Sequence, residues 1–167
     1  GPELGMVNEV VRKVFVDSAG GIWVSGNEGD TVGHLPPGGK WTWYSAYLIF
    51  GANVDYITDF AEDKNGDVLV STYGDGLYRH TPRGEWSRIH LGDPGINFPI
   101  SNILCVTVAP NGDIWLGLKD RAVRFDGKIW QGFSIKEGLS GLAVYDIYFA
   151  PDGAAWFATD GGITRFA

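Results

Sequence analysis

Val106-Thr-Val-Ala-Pro-Asn-Gly-Asp-Ile-Trp115 decides the fold, because the chain carries this block four times. The other copies are Val14-Phe-Val-Asp-Ser-Ala-Gly-Gly-Ile-Trp23, Phe60-Ala-Glu-Asp-Lys-Asn-Gly-Asp-Val-Leu69 and Tyr148-Phe-Ala-Pro-Asp-Gly-Ala-Ala-Trp156. Gly20, Gly66, Gly112 and Gly153 mark the same place in each copy, at steps of 46, 46 and 41 residues. A period of this size means a chain of equivalent supersecondary units. The seven tryptophans and many of the acidic residues are therefore unit positions before they are sites.

Each unit holds four short alternating runs. In the second unit they cover 55–61, 67–72, 76–80 and 85–89, rich in Val, Ile, Tyr, Phe and Trp and bounded by Gly, Asp, Asn and Pro. That is the signature of strands. Asp63-Lys-Asn-Gly66 between the first two runs supplies the φ > 0 residue of a tight hairpin. No stretch keeps a helical period, so the chain reads as all-β. Four antiparallel strands per 40–50 residues, repeated in tandem, make the blades of a β-propeller, about four here with the last incomplete. Trp23, Trp115 and Trp156 share one position on the second strand, with Leu69 in the second unit; Trp41, Trp86 and Trp130 share one on the fourth. Rings at equivalent positions are packing wedges between blades. Trp43 is the extra one. Residues 1–5, opening on Gly1-Pro2, read as a tag remnant or linker. The blades read as about 6–45, 54–89, 101–133 and 144–167 within a propeller over 6–167.

These residues carry a resemblance. Asn111-Gly-Asp-Ile-Trp-Leu-Gly117, Tyr73-Gly-Asp-Gly-Leu-Tyr-Arg79 and Asp152-Gly-Ala-Ala-Trp-Phe-Ala-Thr-Asp-Gly-Gly-Ile-Thr-Arg-Phe166 resemble the two-component-regulator propeller repeat. Glu137-Gly-Leu-Ser-Gly-Leu-Ala-Val-Tyr-Asp146 resembles that family's link into the next blade. The resemblance implies a non-catalytic sensing or ligand-binding module of bacterial type, extracytoplasmic in setting, with a small molecule, glycan or protein at its loop face. A more distant resemblance, of Gly153–Phe157 to the streptogramin-lyase propellers, implies the rival reading of a lyase. A scaffold fragment without a ligand is the third. Only three fourth strands are present, so a piece of a longer propeller, a ring completed by a second copy as a homo-oligomer, and a four-bladed ring all stay open.

Composition narrows the partners. Hydrophobic residues make 44% of the 167 and charged residues 20%, as in a globular domain. Thirteen Lys and Arg against twenty Asp and Glu give a formal charge of −7, which disfavours polyanions: nucleic acid, heparin-like glycans and anionic membranes. No apolar run reaches membrane-spanning length. Cys105, the single cysteine, lies on an apolar strand and reads as a buried small hydrophobe rather than a nucleophile. No cofactor or metal motif is visible.

The candidate ligand face carries the loops between blades (46–54, 90–101 and 134–144) and the turns between second and third strands. Tyr47, Phe50 and Phe98 are rings in loop context. Asp30, Asp75, Asp120 and Asp160 recur with the repeat and would ring one mouth. They are either turn formers that bond their own backbone or an acidic funnel. Asp17, Asp63, Asn111 and Asp152, at the other end of the second strand, read as turn residues. His34 and His80 read as equivalent third-strand positions. His90, opening a between-blade loop, is the one weak catalytic candidate, as a base beside Asp75 or Asp120.

Overall fold

The computed structural model describes residues 10–26, 31–45, 47, 49, 54–89, 100 and 102–167. The alternating runs form fifteen strands: β1 Val11–Val16, β2 Ile22–Gly26, β3 Thr31–Leu35, β4 Thr42–Ser45, β5 Tyr56–Glu62, β6 Val68–Tyr73, β7 Leu77–His80, β8 Trp86–Ile89, β9 Ile103–Val108, β10 Ile114–Leu118, β11 Ala122–Phe125, β12 Trp130–Phe133, β13 Val144–Phe149, β14 Ala155–Thr159 and β15 Gly162–Phe166. They pair in sequence order into three four-stranded antiparallel sheets and a last sheet of three. The runs read in the second unit match β5–β8 within one residue. One 3-10 turn, Ile135–Glu137, interrupts the all-β pattern, and it is too short to show a helical period. The protein is a β-propeller arc of four blades.

The four glycines that mark the repeat close four identical hairpins. Each has φ between 78° and 91°. Each donates its amide three residues back, to Asp17, Asp63, Ala109 and Ala150 in turn, and those residues donate to Gly21, Asp67, Asp113 and Ala154. A left-handed residue closing a type I turn is the usual three-residue hairpin, and glycine takes that conformation at no steric cost. Side chains lock the turns. Asp17 and Asp63 cap from the first position, and Asn111 and Asp152 from the third, accepting from amides two to four residues on.

A single blade cannot bury both its faces, and the core shows the solution. The three apolar clusters are the three blade junctions. Trp23 and Val32 meet Ile57, Phe60, Val68 and Val70 between the first and second blades. Leu69 and Leu77 meet Ile103, Ile114 and Leu116 between the second and third. Cys105 and Ala122 meet Val144, Ile147 and Phe157 between the third and fourth. Period-2 alternation sends Val68 and Val70 one way and Leu69 the other, so β6 is buried on both faces. Among the described residues no comparable packing joins the fourth blade to the first. Val14 and Val16 on one side, and Tyr148 and Ile163 on the other, are more than half exposed. Trp23 and Trp130 are deep core, while Trp115 is partly buried against Phe133 and Phe157. Trp156 lies on the open face of the fourth blade under Arg165. Trp41 stacks on Trp43, whose ring lies where a Cβ on Gly33 would stand.

Polar contacts tie the first three blades near the axis. The Asp59 carboxylate is 6% exposed and takes Lys13 Nζ of the first blade at 2.9 Å. It also accepts the amide of Phe60 and that of Val106 from the third blade. Burial pushes its pKa above the ordinary 3.8, against the pull of Lys13 and the two amides. Burial thus disfavours the charged carboxylate, and Lys13 is the cation that offsets that cost. Replacing Lys13 by Met is expected to cost about 1–3 kcal/mol at pH 7. Urea unfolding should show that deficit shrinking as pH falls through the raised Asp59 pKa, where a neutral carboxyl needs no cation. A deficit constant down to pH 4 would mean that only the lysine stem matters.

Candidate functional site

Each first strand carries a β-bulge at the same place. The pairing skips Arg12 between Val11 and Lys13, Thr58 between Ile57 and Asp59, Leu104 between Ile103 and Cys105, and Tyr145 between Val144 and Asp146. These four residues recur at steps of 46, 46 and 41, like the turn glycines. A bulge re-aims a side chain, and here it aims one per blade at the axis. All four line one open cavity of about 390 Å³, together with Tyr56 and Ile57, at the end of the arc that carries the between-blade loops.

Aromatic faces and cations make the rim of this mouth. Tyr56 and Tyr73 stack in parallel, with centres 5.1 Å apart and planes within 2°. The Arg12 guanidinium lies 5.1 Å from the Tyr56 ring centre, and Lys119 Nζ 4.8 Å from that of Tyr73. The ladder therefore runs Arg12, Tyr56, Tyr73, Lys119 across three blades. A hydrogen bond with the Tyr73 hydroxyl raises the pKa of the exposed Lys119, so this ammonium stays charged. Cation–aromatic contacts at exposed sites are worth about 0.5–1 kcal/mol each, enough to fix the rims in place. Tyr145 stands opposite and is more than half exposed. In a chain of net charge −7, the one charged side chain among the described residues that line this cavity is the cation Arg12.

The sequence candidates fall differently. Asp30, Phe50, His90 and Phe98 lie outside the described residues. Tyr47 is described and is 62% exposed. Asp75 is buried. It accepts from the Tyr78 hydroxyl and takes Arg88 Nη2 at 2.7 Å on its carboxylate and 2.8 Å on its carbonyl. Asp120 is exposed and bonds the neighbouring Arg121. Asp160 accepts the amides of Leu142 and Ala143, clamping the link into the fourth blade onto that blade's own turn. The three described carboxylates thus each have a local partner, and none lines the axial cavity. Burial raises the Cys105 pKa to about 12, and its thiol points at the Val144 carbonyl, so at neutral pH it is a protonated core group. Among the described residues no three His, Cys, Asp or Glu stand close enough to hold a metal ion.

The structure corrects one equivalence. Trp23 pairs with His34 and Leu69 with Arg79, while Val68 pairs with His80. His34 is therefore the counterpart of Arg79, Arg124 and Arg165, and His80 the counterpart of Leu35, Phe125 and Phe166. The third strands are too short to fix a register by alternation alone. The same register exposes a unit feature that sequence reasoning missed. The third-strand cation always meets the first hairpin: Arg79 with Asp63 and Asp67, Arg124 with Asp113, Arg165 with Asp152, and His34 facing Asp17 at 3.9 Å. The axial ladder was missed as well. A bulge leaves no mark in composition, though the polar residue after it, Lys13, Asp59 or Asp146, breaks an otherwise apolar run.

Comparison with known proteins bears on the fold. No family model matches the chain, and no curated protein does. Among solved structures, the chain is similar to the extracellular domain assigned to a hybrid two component system, BT3049, from B. thetaiotaomicron, with a TM-score of 0.76 and 22% identity. The match covers 95% of this chain and 22% of that one. The corresponding domain of BT4673 from the same organism gives a TM-score of 0.75 and 18% identity, over 98% of this chain and 22% of that one. Virginiamycin B lyase from Staphylococcus aureus, solved with quinupristin, gives 0.72 and 20%, over 98% of this chain and 57% of that one. The chain spans about a fifth of the first two and little more than half of the third. The likeness establishes the shared propeller fold.

Asp75 provides a test of which role its carboxylate has. Asp75→Ala removes the acceptor of Arg88 and of Tyr78 inside a buried pocket and is expected to cost about 2–4 kcal/mol. At this chain length that is a fall in Tm of roughly 4–15 °C by calorimetry. Unchanged stability would free Asp75 for a role toward a ligand.

Proposed function

We propose that this chain is a non-catalytic recognition module whose binding site is the axial mouth, and that its ligand is an acidic glycan or similar carboxylate-bearing small molecule. The observation that carries this reading is the convergence of four bulge residues, one from each blade, on a single cavity edged by the Arg12–Tyr56–Tyr73–Lys119 ladder. The two tyrosines spend their faces on each other and on Arg12 and Lys119, which leaves their edges and hydroxyls to meet the hydroxyl groups of a sugar. A guanidinium and an ammonium suit a carboxylate, and the guanidinium can grip it with two hydrogen bonds. The 390 Å³ opening is of the size that small ligands occupy. The likeness to extracellular domains of two component systems supports an extracytoplasmic sensing setting for such a site. No helix is long and apolar enough to cross a membrane among the described residues.

The test is titration calorimetry with uronic-acid oligosaccharides and with neutral oligosaccharides of the same length. Acidic oligomers should bind, weaken with added salt, and lose at least tenfold in affinity in Tyr73→Ala or Arg12→Gln. Circular dichroism should show the fold kept. Binding of neutral and acidic oligomers alike, or affinity untouched by both substitutions, would place recognition elsewhere.

One further observation favours self-association as part of the function. Tyr148, Trp156, Ala158 and Ile163 form an open apolar face on the fourth blade. By register they correspond to Ala61, Leu69, Ser71 and Leu77, which are buried at the junction of the second and third blades. A face built for a neighbouring blade would accept the first blade of a second copy, where Val14 and Val16 are exposed. Light scattering should give a dimer that Ile163→Lys converts to monomer. A wild-type monomer at all concentrations would end this reading.

A further inference from the structure

The junction between the first and second blades departs from the pattern of the other two. The positions that His34 and His80 hold here are held in the next blades by an arginine, Arg79 or Arg124, and a phenylalanine, Phe125 or Phe166. The arginine reaches the hairpin carboxylates. At the first junction both places are imidazoles. His34 stacks on Trp23, with centres 3.9 Å apart and planes within 11°. His80 meets the same indole edge-on at 4.9 Å. Imidazole is shorter than a guanidinium on its stem, and His34 Nε2 stops 3.9 Å short of Asp17.

At this junction lies a cleft of about 300 Å³ on the hairpin-turn face, opposite the axial mouth. Trp23, His34, His80 and Val68 line it, with Pro36 and Pro82 at its edge. Its charged lining residues are Asp17 and Glu62, with no lysine or arginine among them. Asp17 already accepts from the Gly21 amide and the Trp23 indole, and Glu62 from the Ser18 amide and hydroxyl. Each therefore keeps its place as a fixed acceptor. Burial lowers the pKa of His34, and burial together with His34 lowers that of His80 to about 4, so neither imidazole supplies the absent cation at neutral pH. His80 is 6% exposed, and its Nε2 has no hydrogen-bond partner among the described residues.

We propose that this cleft is a second binding site, for a small planar aromatic cation, an arylamidine or arylalkylamine in chemical class. The ligand's ring would lie against the exposed side of His34 and between the prolines, over the buried Trp23 and His80. Its cationic group would sit beside Asp17 as the Arg79 guanidinium sits beside Asp63, the equivalent residue of the second blade. The proposal is independent of the axial mouth, because no residue lines both cavities.

Benzamidine, benzamide and benzoate share one shape and differ in charge, so they are the probes, read by Trp23 fluorescence and by calorimetry on the full chain. Benzamidine should bind at least tenfold more tightly than benzamide, and benzoate should not bind. His34→Arg supplies the missing guanidinium in the form the other blades use. It should keep the fold and reduce benzamidine affinity at least tenfold, with oligosaccharide binding at the mouth unchanged. Asp17→Asn should weaken benzamidine by a similar factor, and His34→Arg decides the matter if loss of the turn cap unfolds that variant. Benzamidine binding no tighter than benzamide, or unchanged in His34→Arg, overturns the proposal.

Discussion

The constraint on which this structure rests is that a four-stranded blade has two apolar faces and only a neighbour can cover them. The second strand shows it most plainly. In Val68-Leu69-Val70 every side chain is buried, two toward the first blade and one toward the third. Covering large apolar side chains is worth about 1.5–3 kcal/mol each, so the three junctions, rather than any one blade, hold the stability of the arc. Local features serve those junctions. Gly117 has no side chain because a Cβ there would stand 2.3 Å from the Val144 carbonyl of the fourth blade. Ser18 reaches from its hairpin to Glu62 of the next blade, and Asp59 ties three blades at once.

Repetition also separates structural residues from functional ones. A residue that recurs in every blade is explained by the blade. The turn glycines recur in all four blades, the fourth-strand tryptophans in all three blades that have a fourth strand, and the third-strand arginines in three of the four. What stands out is either a recurrent position whose residue type varies, or a recurrent type that is replaced. The bulge position is the first kind: Arg12, Thr58, Leu104 and Tyr145 share a backbone geometry and differ in chemistry, as residues of a site do. The first junction is the second kind, with His34 in place of arginine and His80 in place of an apolar residue. Local rules broken without a packing reason are where function is to be sought.

Much of the fold was legible in the sequence, because glycine turns and period-2 runs are local signals. The hairpin at Asp63–Gly66 needs only its own residues, and the register of Trp41, Trp86 and Trp130 follows from the turns on either side. The axial mouth was not legible, because a bulge is a property of pairing and no single strand announces it. The ring of aspartates failed to appear at the mouth for a related reason. Repeat spacing fixes equal height around the axis, but it leaves open whether a side chain turns inward or back onto its own blade. Asp75 turns to Arg88, and Asp160 to the link before β13.

Charge divides the two ends of the arc. The hairpin-turn end gathers Asp17, Glu62, Asp63, Asp67, Asp113 and Asp152, and the third-strand arginines of three blades only partly neutralise them. The mouth end presents Arg12 and Lys119 over tyrosine faces, with the carboxylate of Asp75 engaged by its own arginine. A net charge of −7 therefore describes neither surface. At the axis Arg12 is the one charged side chain among the described residues lining the cavity, and at the opposite end Asp17 and Glu62 are those lining the first-junction cleft. Field asymmetry of this kind steers ligands of opposite sign to opposite faces. The same scaffold of repeated hairpins thus carries two separate cavities, one where the strands bulge and one where the repeat is broken.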